Sequence, residues 1–139
     1  FEKVVHVQEG LDIIRKEHGK EIKAVYIEQS LQSFRSGFSS AKTLSTLSRF
    51  NGIVSWLVFD KYKLKPEYIA ATSARKLCGI KIPRGQKAKQ VVLKFLLDNE
   101  PSFVIDYTRN GNPKPESYDK ADSIVIAKAG VICEAKNSK

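Results

Sequence analysis

Residues 22–28 constrain the fold of this chain more than any other segment. Ile22, Ala24, Tyr26 and Glu28 alternate with Lys23, Val25 and Ile27, so an extended chain here is apolar on both faces. Such a strand belongs in the middle of an α/β sheet, covered on both sides. It ends on Glu28, and a carboxylate in an apolar setting must be paired, protonated or bound to a cation.

The neighbouring segments read mostly as helices. Val4–Gly19 carries Val7, Leu11, Ile14 and His18 on one face, with Gly19 as C-cap. Leu31–Ser40 is a loop rich in Ser, Gly and Phe. Ala41–Lys61 is a long helix capped by Ser39 or Ser40, with Leu44, Leu47, Val54 and Val58 on its apolar face; Asn51-Gly52 is a turn signal that threatens to break it. Tyr68–Ala71 is a short strand after Pro66. Ala74–Gly79 is a short helix or turn, Ile80–Gly85 a basic loop, and Gln86–Leu97 a helix with Val91, Val92, Phe95 and Leu96 inward. Ser102–Pro115 is polar and contains the turn signal Asn110-Gly111-Asn112-Pro113, and Tyr118–Ala135 is the last helix. The order α-β-α-β-α-α predicts an α/β class.

Composition narrows the options. With 139 residues and 42% hydrophobic content, the chain suits one domain, residues 1–139, with a real core. Two cysteines are too few for a disulfide scaffold or a zinc ribbon, and Cys78 and Cys133 read as reduced thiols of a cytoplasmic protein. No apolar run is long enough for a membrane span, the longest being Ile53–Phe59, and no signal peptide opens the chain. His6 and His18 read as helix-face histidines, and Trp56 as a core residue. The chain starts at Phe1 and has no Met. Two strands make a poor sheet for a doubly covered core, so roughly 40–70 residues carrying the first strands are expected to precede it.

The formal net charge of +9 is concentrated in the middle of the chain. Residues 61–100 hold ten basic and three acidic groups, whereas residues 1–60 and 101–139 each come to +1. No acid lies between Glu67 and Asp98, a stretch that contains Arg75, Lys76, Lys81, Arg84, Lys87, Lys89 and Lys94. A solvated basic face accounts for some such stretches, and an acidic protein partner is a further alternative. An acid-free run of this length favours contact with the phosphates of a nucleic acid. Arg109–Pro115 reads either as a loop touching DNA or as plain turn chemistry.

Two further acids stand out. Asp119 and Asp122, at i and i+3, share one face at the start of the last helix. Asp119 also suits an N-cap or first-turn role, and Glu28 a buried ion pair. Taken together, the three carboxylates are a donor set of the kind Mg²⁺ prefers, with Mn²⁺ as an alternative ion. Two such ions can activate a water and stabilise the leaving oxygen of a phosphodiester.

At these residues the chain resembles the RuvC-type Holliday-junction resolvases of the RNase H-like nuclease superfamily. Four pieces carry the resemblance in order: Val25-Tyr26-Ile27-Glu28-Gln29; the Leu31–Ser40 loop with the helix Ala41–Phe59; Gly85-Gln86-Lys87-Ala88-Lys89-Gln90-Val91-Val92; and Tyr118-Asp119-Lys120-Ala121-Asp122-Ser123 with the apolar run to Ala127. The resemblance implies an RNase H-like mixed sheet flanked by helices, its first strands missing from this chain together with the first catalytic acid. It implies Glu28, Asp119 and Asp122 as catalytic metal ligands and Lys87 or Lys89 near the scissile phosphate. Phe34, Arg35 and Phe38 would meet the junction, although the two Phe side chains would equally suit a core cover. The implied activity is Mg²⁺-dependent resolution of branched four-way DNA by a homodimer, in a bacterial, phage-encoded or organellar setting. The alternative is a non-catalytic RNase H-like module that binds nucleic acid in a replication or recombination complex.

Overall fold

The computed structural model describes residues 1–29 and 41–138. Among these, the elements in chain order are α1 (Glu2–His18), β1 (Tyr26–Glu28), α2 (Ala41–Tyr62), β2 (Glu67–Ile69), α3 (Ala71–Leu77), α4 (Ala88–Asn99) and α5 (Glu116–Asn137). The strands pair in parallel, with Tyr26 opposite Glu67, Ile27 opposite Tyr68 and Glu28 opposite Ile69.

This corrects the expected α/β class with an RNase H-like mixed sheet. Helix occupies 63% of the described residues, and the sheet has two parallel strands. The physical reason is the shortness of β2. Pro66 offers no N–H at its start, and α3 begins at Ala71, directly after the last bond of the ladder, Gln29 N–H to the Ile69 carbonyl at 2.9 Å. The segment 22–28 is therefore paired only over Tyr26–Glu28, with Tyr26 and Ile27 half-buried and Glu28 exposed. Its two apolar faces are not enclosed between layers.

The chain forms two compact units, Phe1–Ala70 and Ala71–Lys139. In the first, α2 runs unbroken through Asn51-Gly52. One contact within the helix and two distant in sequence accompany this continuity. The Asn51 side-chain amide donates to the Glu28 carbonyl at 3.4 Å, and the Asn51 carbonyl accepts from Ser55 Oγ at 2.6 Å and from Tyr68 Oη at 3.3 Å. Helix α1 packs on α2, where Tyr62 Oη donates to the Leu11 carbonyl at 2.6 Å and Lys61 pairs with Asp12. Leu57 and Val58 are the buried apolar residues of this unit among those described. Trp56, expected in the core, is 62% exposed, because the inward stripe of α2 runs through its two successors.

The second unit is built around α5, on which α3 and α4 pack. Ala121, Val125 and Ala129 recur every fourth residue on its inner face, joined by Ile126 and Gly130, and all five are buried. Small residues at three of these positions let the neighbouring helices approach closely. Helix α4 contributes Val92, Leu93 and Leu96, and α3 contributes Ala74. After α3 the chain turns in a Schellman motif. Gly79, at φ +73°, donates to the Lys76 carbonyl at 3.1 Å, and the buried Ile80 donates to the Arg75 carbonyl at 2.9 Å. This turn directs the basic loop away from α3 and fixes the last turn of that helix, which carries Arg75 and Lys76.

Candidate nucleic-acid interface

Three helix ends of the second unit supply the site. The first turns of α5 carry Tyr118, Asp119 and Asp122, the last turn of α3 carries Arg75, and the start of α4 carries Lys87 and Lys89. Asp119 is exposed and Asp122 half-buried, beside the fully buried Ala121. Burial is the largest influence on the Asp122 carboxyl and pushes its pKa up. The Arg75 guanidinium opposes that, and the Asp119 carboxylate adds to it. Arg75 and Asp119 are therefore both within electrostatic reach of Asp122. Lys89 Nζ lies 5.1 Å from the centre of the Tyr118 ring, a cation–π contact that ties the first turn of α4 to that of α5.

The rest of the basic run surrounds these groups in sequence and is open to solvent. Lys76, Lys81, Arg84, Lys87 and Lys89 are exposed, and Arg75 is half-buried. Among the described residues none of these six forms an ion pair, whereas Lys94 pairs with Asp98 at 3.3 Å and Lys128 pairs with Glu100. Helix α4 has no acid in its first turn and no side-chain cap, and lysines stand at its N-cap and second helical position. Helix starts favour negative charge, so cations there add to the positive end of the dipole and leave it open to an anion.

The sequence-predicted carboxylates divide between the units. Asp119 and Asp122 share a face of α5, as their spacing predicts, while Glu28 lies in the first unit on the exposed end of β1. Glu28 is thus not the buried strand-end acid that the apolar pattern suggested. Within neither unit do three His, Cys, Asp or Glu side chains gather as a metal-holding group among the described residues. Phe34, Arg35 and Phe38 lie outside the described residues. Sequence reasoning missed two relations, the electrostatic influence of Arg75 on Asp122 and the contact of Lys89 with the Tyr118 ring. Tyr118 stands next to Asp119 in the sequence, but nothing local marks it as the partner of a lysine 29 positions earlier.

A separate cleft of about 520 Å³ in the same unit is lined by Cys78, Phe95, Asn99, Glu100, Lys128 and Val131, among others. Burial pushes the Cys78 thiol up, partly offset by Lys128, and its Sγ donates to the Val125 carbonyl at 3.7 Å. A protonated, engaged thiol is a poor nucleophile, which argues against cysteine chemistry in this cleft. No described helix is long and apolar enough to cross a membrane. No protein-family profile, curated protein or solved structure matches the chain.

Proposed function

We propose that this chain grips the phosphate backbone of branched DNA and cleaves it in a Mg²⁺-dependent hydrolysis, with the four-way junction as substrate class. The observation that carries the reading is the convergence of unpaired cations and a carboxylate pair at three helix ends of one compact unit. Arg75 and Lys89 supply fixed positive charge, the start of α4 adds its dipole, and Asp119 and Asp122 supply oxygen donors. Mg²⁺ is held by one or two carboxylates together with waters and substrate phosphate oxygens, and this pair fits that description. Mn²⁺ would use the same donors. When bound, the ion would supply a more acidic water and offset charge on the reacting phosphate.

The chain's own residues would do the rest. Lys87 and Lys89 would hold the strand by its phosphates. Arg75 would partly offset the effect of burial on Asp122, and Tyr118 would hold Lys89 in place. Glu28 belongs to the first unit and is not assigned to this carboxylate pair. Two copies of the chain would match the two-fold symmetry of the junction.

One observation favours a second reading. Arg75 already acts electrostatically on Asp122, the relation a positioning carboxylate would have to a phosphate-gripping arginine. The chain would then be a binding module whose carboxylates orient a phosphate-gripping arginine. Incubation of a synthetic four-way junction with the chain and Mg²⁺ separates the two. Cleavage that falls about a hundredfold or more in Asp122→Asn supports the nuclease. An intact junction, bound with a steep salt dependence, supports the module. Failure to bind DNA at low salt removes both.

A further inference from the structure

Between α4 and α5 the chain forms a hairpin that the proposed chemistry does not use. Tyr107 and Pro113 face each other in an antiparallel bridge. Inside it, Thr108 N–H donates to the Asn112 carbonyl at 2.6 Å, Gly111 N–H to the Thr108 carbonyl at 2.9 Å, and Asn112 N–H to Thr108 Oγ1 at 3.2 Å. Just outside it, Lys114 N–H donates to the Asp106 carbonyl at 3.0 Å. Gly111 takes φ +84°, a left-handed conformation that costs glycine little. Ile105 is buried and roots the hairpin in the unit.

Turn chemistry accounts for Thr108, Gly111 and Asn112. It does not account for Tyr107, which leaves 55% of its surface in water, or for Arg109 at the tip, which is exposed and forms no ion pair among the described residues. Asp106 is the one acid in residues 101–115. The hairpin thus presents, on a backbone already ordered, an aromatic ring, a guanidinium and the exposed amides of Asn110 and Asn112. A ring with open surface stacks on a base whose own face is uncovered, a guanidinium takes the adjoining phosphate, and amides pair with base edges.

We propose that the Tyr107–Pro113 hairpin is a contact element for unpaired nucleobases, with Tyr107 stacking on a base and Arg109 holding its phosphate. This rests on the nucleic-acid reading above and adds to it a preference for strands that are not fully paired, such as those at a branch point. A duplex, whose bases are stacked on each other, would use the lysines and arginines of the α3–α4 region without engaging Tyr107.

Fluorescence anisotropy with a single-stranded oligonucleotide of about twenty nucleotides and a blunt duplex of equal length tests this. Tyr107→Leu should weaken single-strand binding about tenfold and leave duplex binding essentially unchanged. Tyr107→Phe, which keeps the ring, should restore it. Arg109→Ala, at an exposed tip, should also weaken single-strand binding, and it gives an independent reading if Tyr107→Leu fails to fold. The double variant Lys87→Ala/Lys89→Ala should weaken both ligands. If that double variant does so while the Tyr107 and Arg109 variants bind single strands like the wild type, the hairpin inference is overturned and the backbone-binding reading stands. If the wild type binds neither oligonucleotide at low salt, the backbone-binding reading falls and the hairpin inference with it.

Discussion

In Ala71–Lys139, ten apolar residues contributed by three helices and their connections are buried; in Phe1–Ala70, Leu57 and Val58 are the buried ones among the described residues. The exposed large apolar side chains lie the other way round. Val5, Ile13, Ile14, Leu47, Ile53, Trp56, Phe59 and Tyr68 of the first unit stand in water to a large extent, along with Phe1, against four in the second. Both units are rich in helix, so helix content does not separate them. The difference is that α5 has two helices packed on a face of small and branched residues, while α1 buries no residue of its own. A site needs side chains held by packed neighbours, and among the described residues the second unit has the larger buried core beside its charged groups. Arg75, Lys89, Tyr118 and Asp122 each sit on a helix whose other face is in the core.

The largest expected effect tests this contrast directly. Leu96 is fully buried, and Leu96→Ala should cost about 2–5 kcal/mol in urea unfolding followed by circular dichroism. Trp56→Ala removes a larger side chain, but one that is mostly exposed, and should change stability by no more than about 0.5 kcal/mol. Equal costs for the two substitutions would break the comparison, because they would place Trp56 in a core.

A smaller effect concerns binding and stays within the second unit. Tyr118→Leu removes the ring beneath Lys89 and should weaken duplex binding by about two- to fivefold, whereas Tyr118→Phe should bind as the wild type does. Lys89→Ala should lower the salt slope by about one phosphate contact. An unchanged slope would mean that Lys89 does not meet the backbone.

How much of this was legible in the sequence differs between the units for the same physical reason. The apolar residues Ile124, Ile126, Ala127 and Val131 marked α5 as a helix but not its inner face, since Ile126 alone of the four is buried; the i, i+3 spacing of Asp119 and Asp122 put both on one face, a property of a single helix. The continuity of α2 through Asn51-Gly52 was not legible, because the amide of Asn51 is satisfied by Glu28, 23 residues away. The extent of the sheet was misread because an apolar strand reports what it could bury but not how many strands cover it. Arg75 and Lys89 were visible as cations. Their placement against Asp122 and Tyr118 follows from how α3 and α4 pack on α5, which no local pattern encodes.

A third prediction sharpens the comparison from the side of the first unit. Lys63 ends α2 at φ +57°, a conformation that strains any residue with a Cβ. Its backbone N–H is engaged with the Phe59 carbonyl at 2.8 Å, so the conformation is held by the helix end. Lys63→Gly relieves the strain but frees the unfolded chain. The net gain should be a few tenths to about 1 kcal/mol, read from the midpoint of urea unfolding. A loss of stability would show that the side chain of Lys63, which approaches Asp60 to 3.9 Å, matters more than its backbone.

The smallest effect is a pH dependence in the second unit. The folded state raises the Asp122 pKa through burial, against the pull of Arg75 and with the push of Asp119. The folded chain therefore holds this proton more tightly than the unfolded one. The associated stability is complete below the unfolded pKa and is lost as pH rises through the folded value. Asp122→Asn cannot ionise and escapes that loss. Its melting temperature relative to the wild type should thus climb as pH rises from the ordinary aspartate range through the raised folded value, and then level off. Because Asp122 is only half-buried and faces Arg75, screening keeps the change to about one or two degrees. A melting difference that stays flat across that range would mean the carboxylate is as well solvated in the folded unit as in the open chain. The packed core of the second unit would then stop short of its charged site.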